Sequence, residues 1–324
     1  MGTPTASTTV QRPELGQVAW EYMTTGEGRQ ANIGLDVLPI FDSAQKTADY
    51  AKIPVETLLE VKDTKRAPRS AYNESDWQFE TGTFNCQDNG WKELIDDEEK
   101  KLYAYLFDAE MVATQRAMAI ITRNHEIRSA TLLFNTSNFS DTGVATEWST
   151  PTTCTPHKDV TITGFNAMKA LGGLLPNTGV CSEKVFRNLI ASSEVKDAFK
   201  YTGTGPMEET GFDVQKRAVA SYFGLEKILV GGAVKSTAKK GQSAVATDVW
   251  DDEYFGLFRI ESGMDLRKPQ VGRTFLWTAD SPGMLVTETY RDEDKRSDVV
   301  RVRHNVDEAI IFANAGYLLS NITA

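Results

Sequence analysis

The stretch that decides the fold is DDEEKKLYAYLFDAEMVATQRAMAIITRN, residues 96–124. Asp96, Asp97, Glu98 and Glu99 open it with consecutive carboxylates, the charge that complements the positive end of a helix, and Lys100 and Lys101 follow. Leu102, Leu106, Ala109, Ala113, Ala117 and Ile120 then recur at three- and four-residue steps. That spacing lays an apolar stripe along one face of a helix reaching Asn124, roughly seven turns at ~3.6 residues per turn. A helix of this length serves as the backbone of a domain rather than as a detail of a catalytic site.

Upstream of the helix the pattern is strand-like. Lys52-Ile53-Pro54-Val55, Leu58-Leu59-Glu60-Val61 and Trp77–Phe84 are short apolar or alternating pieces, and the last reads as a half-exposed strand. Together they predict a long hairpin over Asp49–Trp91. Within it lies Lys62-Asp63-Thr64-Lys65-Arg66-Ala67-Pro68-Arg69, four cations and one acid on an otherwise acidic chain. A projecting loop of this kind is a candidate contact surface, and a solvated basic turn is the plain alternative. Earlier still, Gly16, Gly26, Gly28, Gly34 and Pro39 interrupt the apolar runs of residues 1–45, which therefore read as an extended arm. Val37, Leu38, Ile40 and Phe41 in that arm are too apolar to stay in water. They are expected to pack on a distant part of the chain or on another subunit.

Downstream the elements mix. Residues 135–163 are rich in Thr, Ser and Asn and read as a surface connection. Helices are expected over Gly164–Leu175, Glu183–Leu189 and Asp213–Phe223. Strands are expected at Lys227–Val230, Tyr254–Ile260, Arg273–Trp277, Met284–Thr289 and Asp298–His304, where valines alternate with arginines. Mixed elements of this kind indicate an α+β fold.

The chain has 324 residues, room for roughly two folding units at about 100–200 residues each. Its 40% hydrophobic and 25% charged content rules out a mostly disordered or collagenous protein. A net charge of −10 argues against a sequence-reading DNA binder and against attraction to anionic membranes. Cys86, Cys154 and Cys181 are odd in number and far apart, which fits neither a disulfide framework nor a zinc knuckle and favours a reducing compartment. No signal peptide and no apolar run of about 18 residues is present, so a soluble cytoplasmic protein is the expectation.

Catalytic patterns are sparse. His125, His157 and His304 fall in different elements without metal-ligand spacing, and no G-x-S-x-G elbow occurs. Gly231-Gly232-Ala233-Val234-Lys235-Ser236 follows a strand as a phosphate loop does, yet Val234 stands where such a loop needs glycine before its lysine. Gly203-Thr204-Gly205-Pro206 lacks the third glycine of a dinucleotide fingerprint. The acidic groups at 248–253 and 292–294 do not follow calcium-loop spacing. What remains is an arm and a loop that cannot bury themselves locally, features that make sense in an assembly.

A wider likeness rests on the order and spacing of several segments. These are Asn32-Ile33-Gly34-Leu35-Asp36-Val37-Leu38-Pro39 in the arm, Thr64–Pro68 followed by Phe79–Cys86, and the acidic Asp96–Glu99. Leu174–Thr178, Val185, Lys200–Thr202, Phe223–Gly231, Gly272–Trp277 and Asp307–Leu319 continue the series. From about Asn32 to Ile322 the sequence resembles the major capsid proteins of tailed bacteriophages, which share the Hong Kong 97-type fold.

The resemblance implies an α+β fold with an N-terminal arm at 1–45 and an extended β-hairpin loop at 46–93. A peripheral domain would begin with the long spine helix at 94–169 and be completed by the C-terminal return at 291–324, with an axial domain at 170–290. It also implies a structural protein rather than an enzyme, with no catalytic residue, cofactor or metal. Such a protein self-assembles into hexamers and pentamers of an icosahedral shell around double-stranded DNA. Candidate inter-subunit contacts are Val37, Leu38, Ile40 and Phe41 in the arm and Lys62, Lys65, Arg66 and Arg69 in the loop. Implied partners are further copies of the chain, a portal, a separate scaffolding protein and, in some relatives, a decoration protein. DNA would be enclosed without sequence-specific binding, and no membrane is involved. The implied location is the virion capsid, assembled in the host cytoplasm. Some relatives add a Lys–Asn isopeptide crosslink promoted by a buried glutamate; no such trio can be assigned here, and a shell without crosslinks is expected. Two other readings stay open: the shell of an encapsulin-like bacterial nanocompartment, and a soluble α+β enzyme holding a phosphorylated ligand at 231–241.

Overall fold

The computed structural model describes residues 10–11, 32–74, 79–103, 108–200, 211–239, 241–243 and 245–323. The expected arm residues 1–9 and 12–31, and the Gly203–Pro206 loop, lie outside the described residues.

The acidic run at Asp96 does not start the long helix. It forms a short helix of its own, α3 (Asp97–Tyr103), and the long helix α4 runs over Ala109–Leu133. Asp108 caps α4, its carboxylate accepting the backbone N–H of Glu110 at 2.9 Å and of Met111 at 3.4 Å. The stripe shifts accordingly. Ala113 and Ala117 are buried, Leu102 is 63% exposed, and Leu106 falls outside the described residues. Beyond Asn124 the buried face continues through His125, Glu126, Ser129, Ala130 and Leu133, so polar residues occupy core positions in the second half.

A first sheet is organised around β14 (Ser297–Ile310). Its first half lies between β13 (Val286–Asp292) and β5 (Gln87–Asp96), and its second half pairs with β12 (Gly272–Trp277). Strand β2 (Ile40–Ser43) adds to β12 in parallel, and β1 (Val10–Gln11) adds to β13. Val300, Val302, His304 and Val306, alternate residues of β14, are all buried, as period-two patterning requires. Helix α4 packs across β5 and β14.

The second sheet has the order β6 (Asp141–Gly143), β15 (Gly316–Ser320), β11 (Phe255–Phe258), β7 (Thr178–Ser182) and β8 (Lys227–Gly231). Strands β7 and β11 are buried along their whole length, and the sheet's core includes Phe186 and Leu189 of α6 (Glu183–Ala191), Val195 of α7 (Ser193–Phe199) and Val219 and Phe223 of α8 (Phe212–Phe223). Strands β12 and β13, the latter running to Asp292, pair with β14, while β15 enters the second sheet beside β11.

Two further expectations are corrected, and a third is met with shorter bounds. Residues 135–163 are not a simple surface connection, because Phe139 and Trp148 are buried; the Trp148 indole donates to Asp159 at 3.0 Å and packs on Phe255. The pieces expected as strands at 52–55 and 58–61 contain instead a short helix, α2 (Val55–Leu59), following Pro54. The expected helix at Gly164–Leu175 is α5 (Phe165–Gly172), closed by Gly173 at φ 66°, with a π-helical turn before it. The hairpin does form: β3 (Thr47–Lys52) pairs antiparallel with β4 (Glu80–Asn85).

Two buried polar clusters join these parts. In the first, Glu126 of α4 accepts the backbone N–H of Ile33 at 2.8 Å, that of Gly34 at 2.7 Å and the Trp250 indole N–H at 2.6 Å. Burial pushes its carboxyl up, against the pull of these donors. Gly34 has no room for a side chain, since a Cβ there would stand 2.7 Å from the Glu126 carboxylate. In the second, His125 and His304 meet edge to face with ring centroids 6.4 Å apart, beside Glu308 and Arg128. Burial pushes both imidazoles down to about 3.

Replacing Glu126 with Ala strands three buried donors, each worth about 1–3 kcal/mol. The expected outcome is a clear drop in melting temperature together with fast amide exchange at Ile33 and Gly34; retained protection of those amides would contradict the clamp. The histidine pair sets a pH dependence. An unfolded chain protonates each imidazole below about 6.5, whereas the folded chain resists until about 3. Stability is therefore full above about 6.5 and falls as pH drops toward 3, by about 2 kcal/mol per histidine at pH 5. Urea titrations at pH 7.5 and 5 check this, with His304→Phe expected to remove about half of the pair's share; an identical pH response in that variant would contradict it.

Candidate inter-subunit surface

The arm residues are brought together with the body of the chain. Val37 and Leu38 are 0% exposed, in a core shared with Ala130 and Leu133 of α4 and with Phe258 and Val271. The Thr274 hydroxyl donates to the Leu38 carbonyl at 2.9 Å, and a side chain at Gly272 would stand 2.9 Å from Leu38. The expectation that Val37 and Leu38 form inter-subunit contacts is thus corrected. Parallel pairing of β2 with β12 gives the apolar run both a backbone ladder and cover from its own chain, the distant-segment alternative of the sequence reading. Ile40 and Phe41 are half-buried on the same sheet; Phe41 meets Phe275 edge-on at 5.5 Å, and part of each side chain stays open.

The loop residues behave differently. Every residue from Leu59 to Glu74 is exposed, Val61 at 98% and Tyr72 at 74%. Local polar contacts shape the loop. Ser70 N–H donates to the Ala67 carbonyl at 3.1 Å, Arg66 Nε donates to the Ser70 carbonyl at 2.8 Å, and the Asn73 amide donates to the Asp63 carbonyl at 2.8 Å. The Arg66 guanidinium lies 4.6 Å from the Tyr72 ring centroid, and Lys62 pairs with Glu60 at 3.0 Å. Arg69 turns the chain at φ 69°, in the left-handed region that bulky residues enter at a cost. Lys62, Lys65, Arg66 and Arg69 thus sit together on one projection. Its apolar members, Val61 and Tyr72, were missed by sequence reasoning, although Val61 had been read as part of a strand.

Other chemistry recedes. The thiols of Cys86, Cys154 and Cys181 are buried and free, and burial pushes each of them up, Cys86 to about 11, so none is a ready nucleophile. Asp252 accepts from Ser182 at 2.5 Å and pairs with Lys184 at 3.4 Å, and Asp292 pairs with Lys295 at 3.6 Å, which uses those carboxylates in local contacts. No group of three or more His, Cys, Asp or Glu side chains is placed to hold a metal ion among the described residues. Gly231 at the loop that begins like a phosphate loop has a packing reason: a Cβ there would lie 2.1 Å from the Trp250 ring. Among the described residues no helix is long and apolar enough to cross a membrane.

No family model matches the sequence, and no curated protein does. Solved structures do share its architecture. A phage-related protein from Bordetella bronchiseptica RB50 superposes with a TM-score of 0.70 at 20% identity, over 97% of this chain and 98% of that one. The capsid structure of the cyanophage P-SCSP1u gives 0.60 at 11% identity over 90% and 88%. A virus-like particle from Pyrococcus furiosus gives 0.54 at 10% identity over 95% and 97%. Nearly the whole length of this chain is therefore folded as those chains are, and its α+β architecture is that of the phage capsid proteins, the Hong Kong 97-type fold.

Proposed function

We propose that the chain is the repeating subunit of a closed protein shell, a major capsid protein forming hexamers and pentamers around the double-stranded DNA of a tailed phage. One observation carries the reading. Residues 59–74 are exposed, Val61 and Tyr72 among them, while both sheets close cores of their own. A monomer gains nothing by holding such apolar side chains in water, and a second copy that covers them does. The fold likeness to capsid chains supports the same conclusion.

In this reading α4 is the spine helix of a peripheral domain, the sheet around β11 belongs to the axial domain, and the β3–β4 hairpin carries the loop onto a neighbour. Covering a side chain such as Val61 or Tyr72 contributes about 1.5–3 kcal/mol, and each cation of the loop about 0–1 kcal/mol at a solvated rim. Many weak contacts let a misplaced subunit leave and rebind. The half-open Ile40 and Phe41 add apolar surface near the arm. A net charge of −10 lets the enclosed DNA stay mobile, since like charges repel. A portal, a separate scaffolding protein and a decoration protein complete the proposed partners, and assembly in the host cytoplasm precedes the chain's place in the virion.

Sedimentation of the chain, expressed alone and with a scaffold, tests the proposal. Megadalton particles are expected. Arg66→Glu combined with Arg69→Glu is expected to lower particle yield at least about ten-fold while leaving circular dichroism and the melting curve unchanged. Normal yield from that variant would count against the loop contact, and a monomer under all conditions would count against the shell.

A further inference from the structure

Strand β5 is ten residues long and has a neighbour on one side only: among the described residues it pairs with β14 and with no other strand. The phase of that ladder shows which groups are left over. Asp97 N–H donates to the Arg296 carbonyl at 3.3 Å, in the same register that sets Asp96 opposite Ser297. Backbone bonding alternates along an antiparallel pair, so the odd-numbered residues of β5 turn their N–H and C=O toward β14. Asp88, Gly90, Lys92 and Leu94 turn theirs to the open side, and all four are exposed. The register runs without a bulge and no proline interrupts residues 87–96, so the usual defences of a sheet edge are missing.

The strand's own charges select the partner. Asp88 and Lys92 stand at equal distances on either side of Gly90, on the face turned away from α4, since Ile95 of the other face packs on Ala113. Within one chain they are about 13 Å apart at ~3.3 Å per residue, too far to pair. Among the described residues neither takes part in an ion pair. When a second copy of the strand is turned end for end and Gly90 is set opposite Gly90, each Asp88 faces a Lys92 of the other copy, twice by symmetry. Gly90 has no side chain, so the two backbones meet freely at the axis. The residues paired in this register are those with free backbone groups, which closes about six hydrogen bonds. On the α4 face Trp91, 46% exposed, falls opposite Asn89 of the second copy and gains cover. A shift of the register by two residues sets Gly90 opposite Lys92 and loses the direct charge pairs.

We propose that the open edge of β5 is a two-fold contact between copies of this chain, an antiparallel strand addition centred on Gly90 and held in register by Asp88 against Lys92 of the second copy. The contact is separate from the projecting loop. It rests on the shell reading only in needing copies to meet, and a simple dimer would satisfy it.

The full chain tests the contact, free and in particles. Asp88→Cys combined with Lys92→Cys puts thiols opposite each other between copies, and the three natural cysteines are buried. Mild oxidation is expected to give a covalent dimer on a non-reducing gel, and Asp88→Cys alone to give little. Asp88→Lys sets like charges opposite each other at both ends and is expected to lower particle yield at least about five-fold with an unchanged melting curve. Adding Lys92→Asp is expected to bring the yield back to within about two-fold of the original. No crosslinked dimer in either state, or no rescue by the charge swap, overturns the contact and leaves the shell standing if the unaltered chain still forms particles. Slow amide exchange at Gly90 and Lys92 without a crosslinked dimer gives the edge to a different chain and likewise overturns it. A crosslinked dimer from a chain that never forms particles upholds the contact and overturns the shell.

Discussion

One buried carboxylate holds together three parts of the chain that are remote in sequence. Glu126 receives its hydrogen bonds from the arm at Ile33 and Gly34 and from Trp250, just before β11. A charge without a cationic partner is costly in an apolar core, and three converging N–H donors are what make it tolerable. The arm's path follows from this clamp. Once Ile33 and Gly34 are fixed to α4, Val37 and Leu38 drop into the core and β2 is delivered to the edge of β12. Trp250, pinned from the other side, lies across Gly231 and packs edge-on against Phe134, which ties the second sheet to the C-terminal end of the same helix.

The result is a chain with finished cores and an unfinished projection. Strand β14 shows the finished part: one strand serves β13, β5 and β12 in turn, and its buried alternate residues face α4. The hairpin shows the other. It is anchored by aromatic stacking of Phe84 and Tyr50 on Phe275 at its base and by Val55, buried with Ile311 and Phe312, after which residues 59–74 run out into water, shaped by local hydrogen bonds. Rigid base and uncovered tip are the properties of an element that reaches for a neighbour. The proposed function grows from that contrast.

Much of the architecture was legible because apolar periodicity dominates where strands and helices are regular. Helices α6 and α8 and strands β8, β11 and β12 fall where the sequence placed them. The long helix was misplaced at both ends for physical reasons. Acidic residues suit any helix start, so Asp96–Glu99 marked α3 as readily as α4, and His125 and Glu126 looked like a polar end although partners from elsewhere bury them. The arm's apolar residues could not be assigned to own or neighbouring surface, because parallel pairing with β12 joins segments more than two hundred residues apart, as in Phe41 opposite Phe275. At the candidate surface the cations were visible as a cluster, whereas the meeting of His304 with His125 in the core was not. Its only sequence signal was position, since His304 continues the alternation of Val300 and Val302 and so had to face inward.

Amide hydrogen exchange across residues 60–74, measured on the free chain and on assembled particles, tests most directly whether this projection is completed by another copy. The account predicts exchange close to that of an unstructured peptide in the free chain and strong protection in the particle. Equal exchange in the two states, or protection already present in a free monomer, would contradict it.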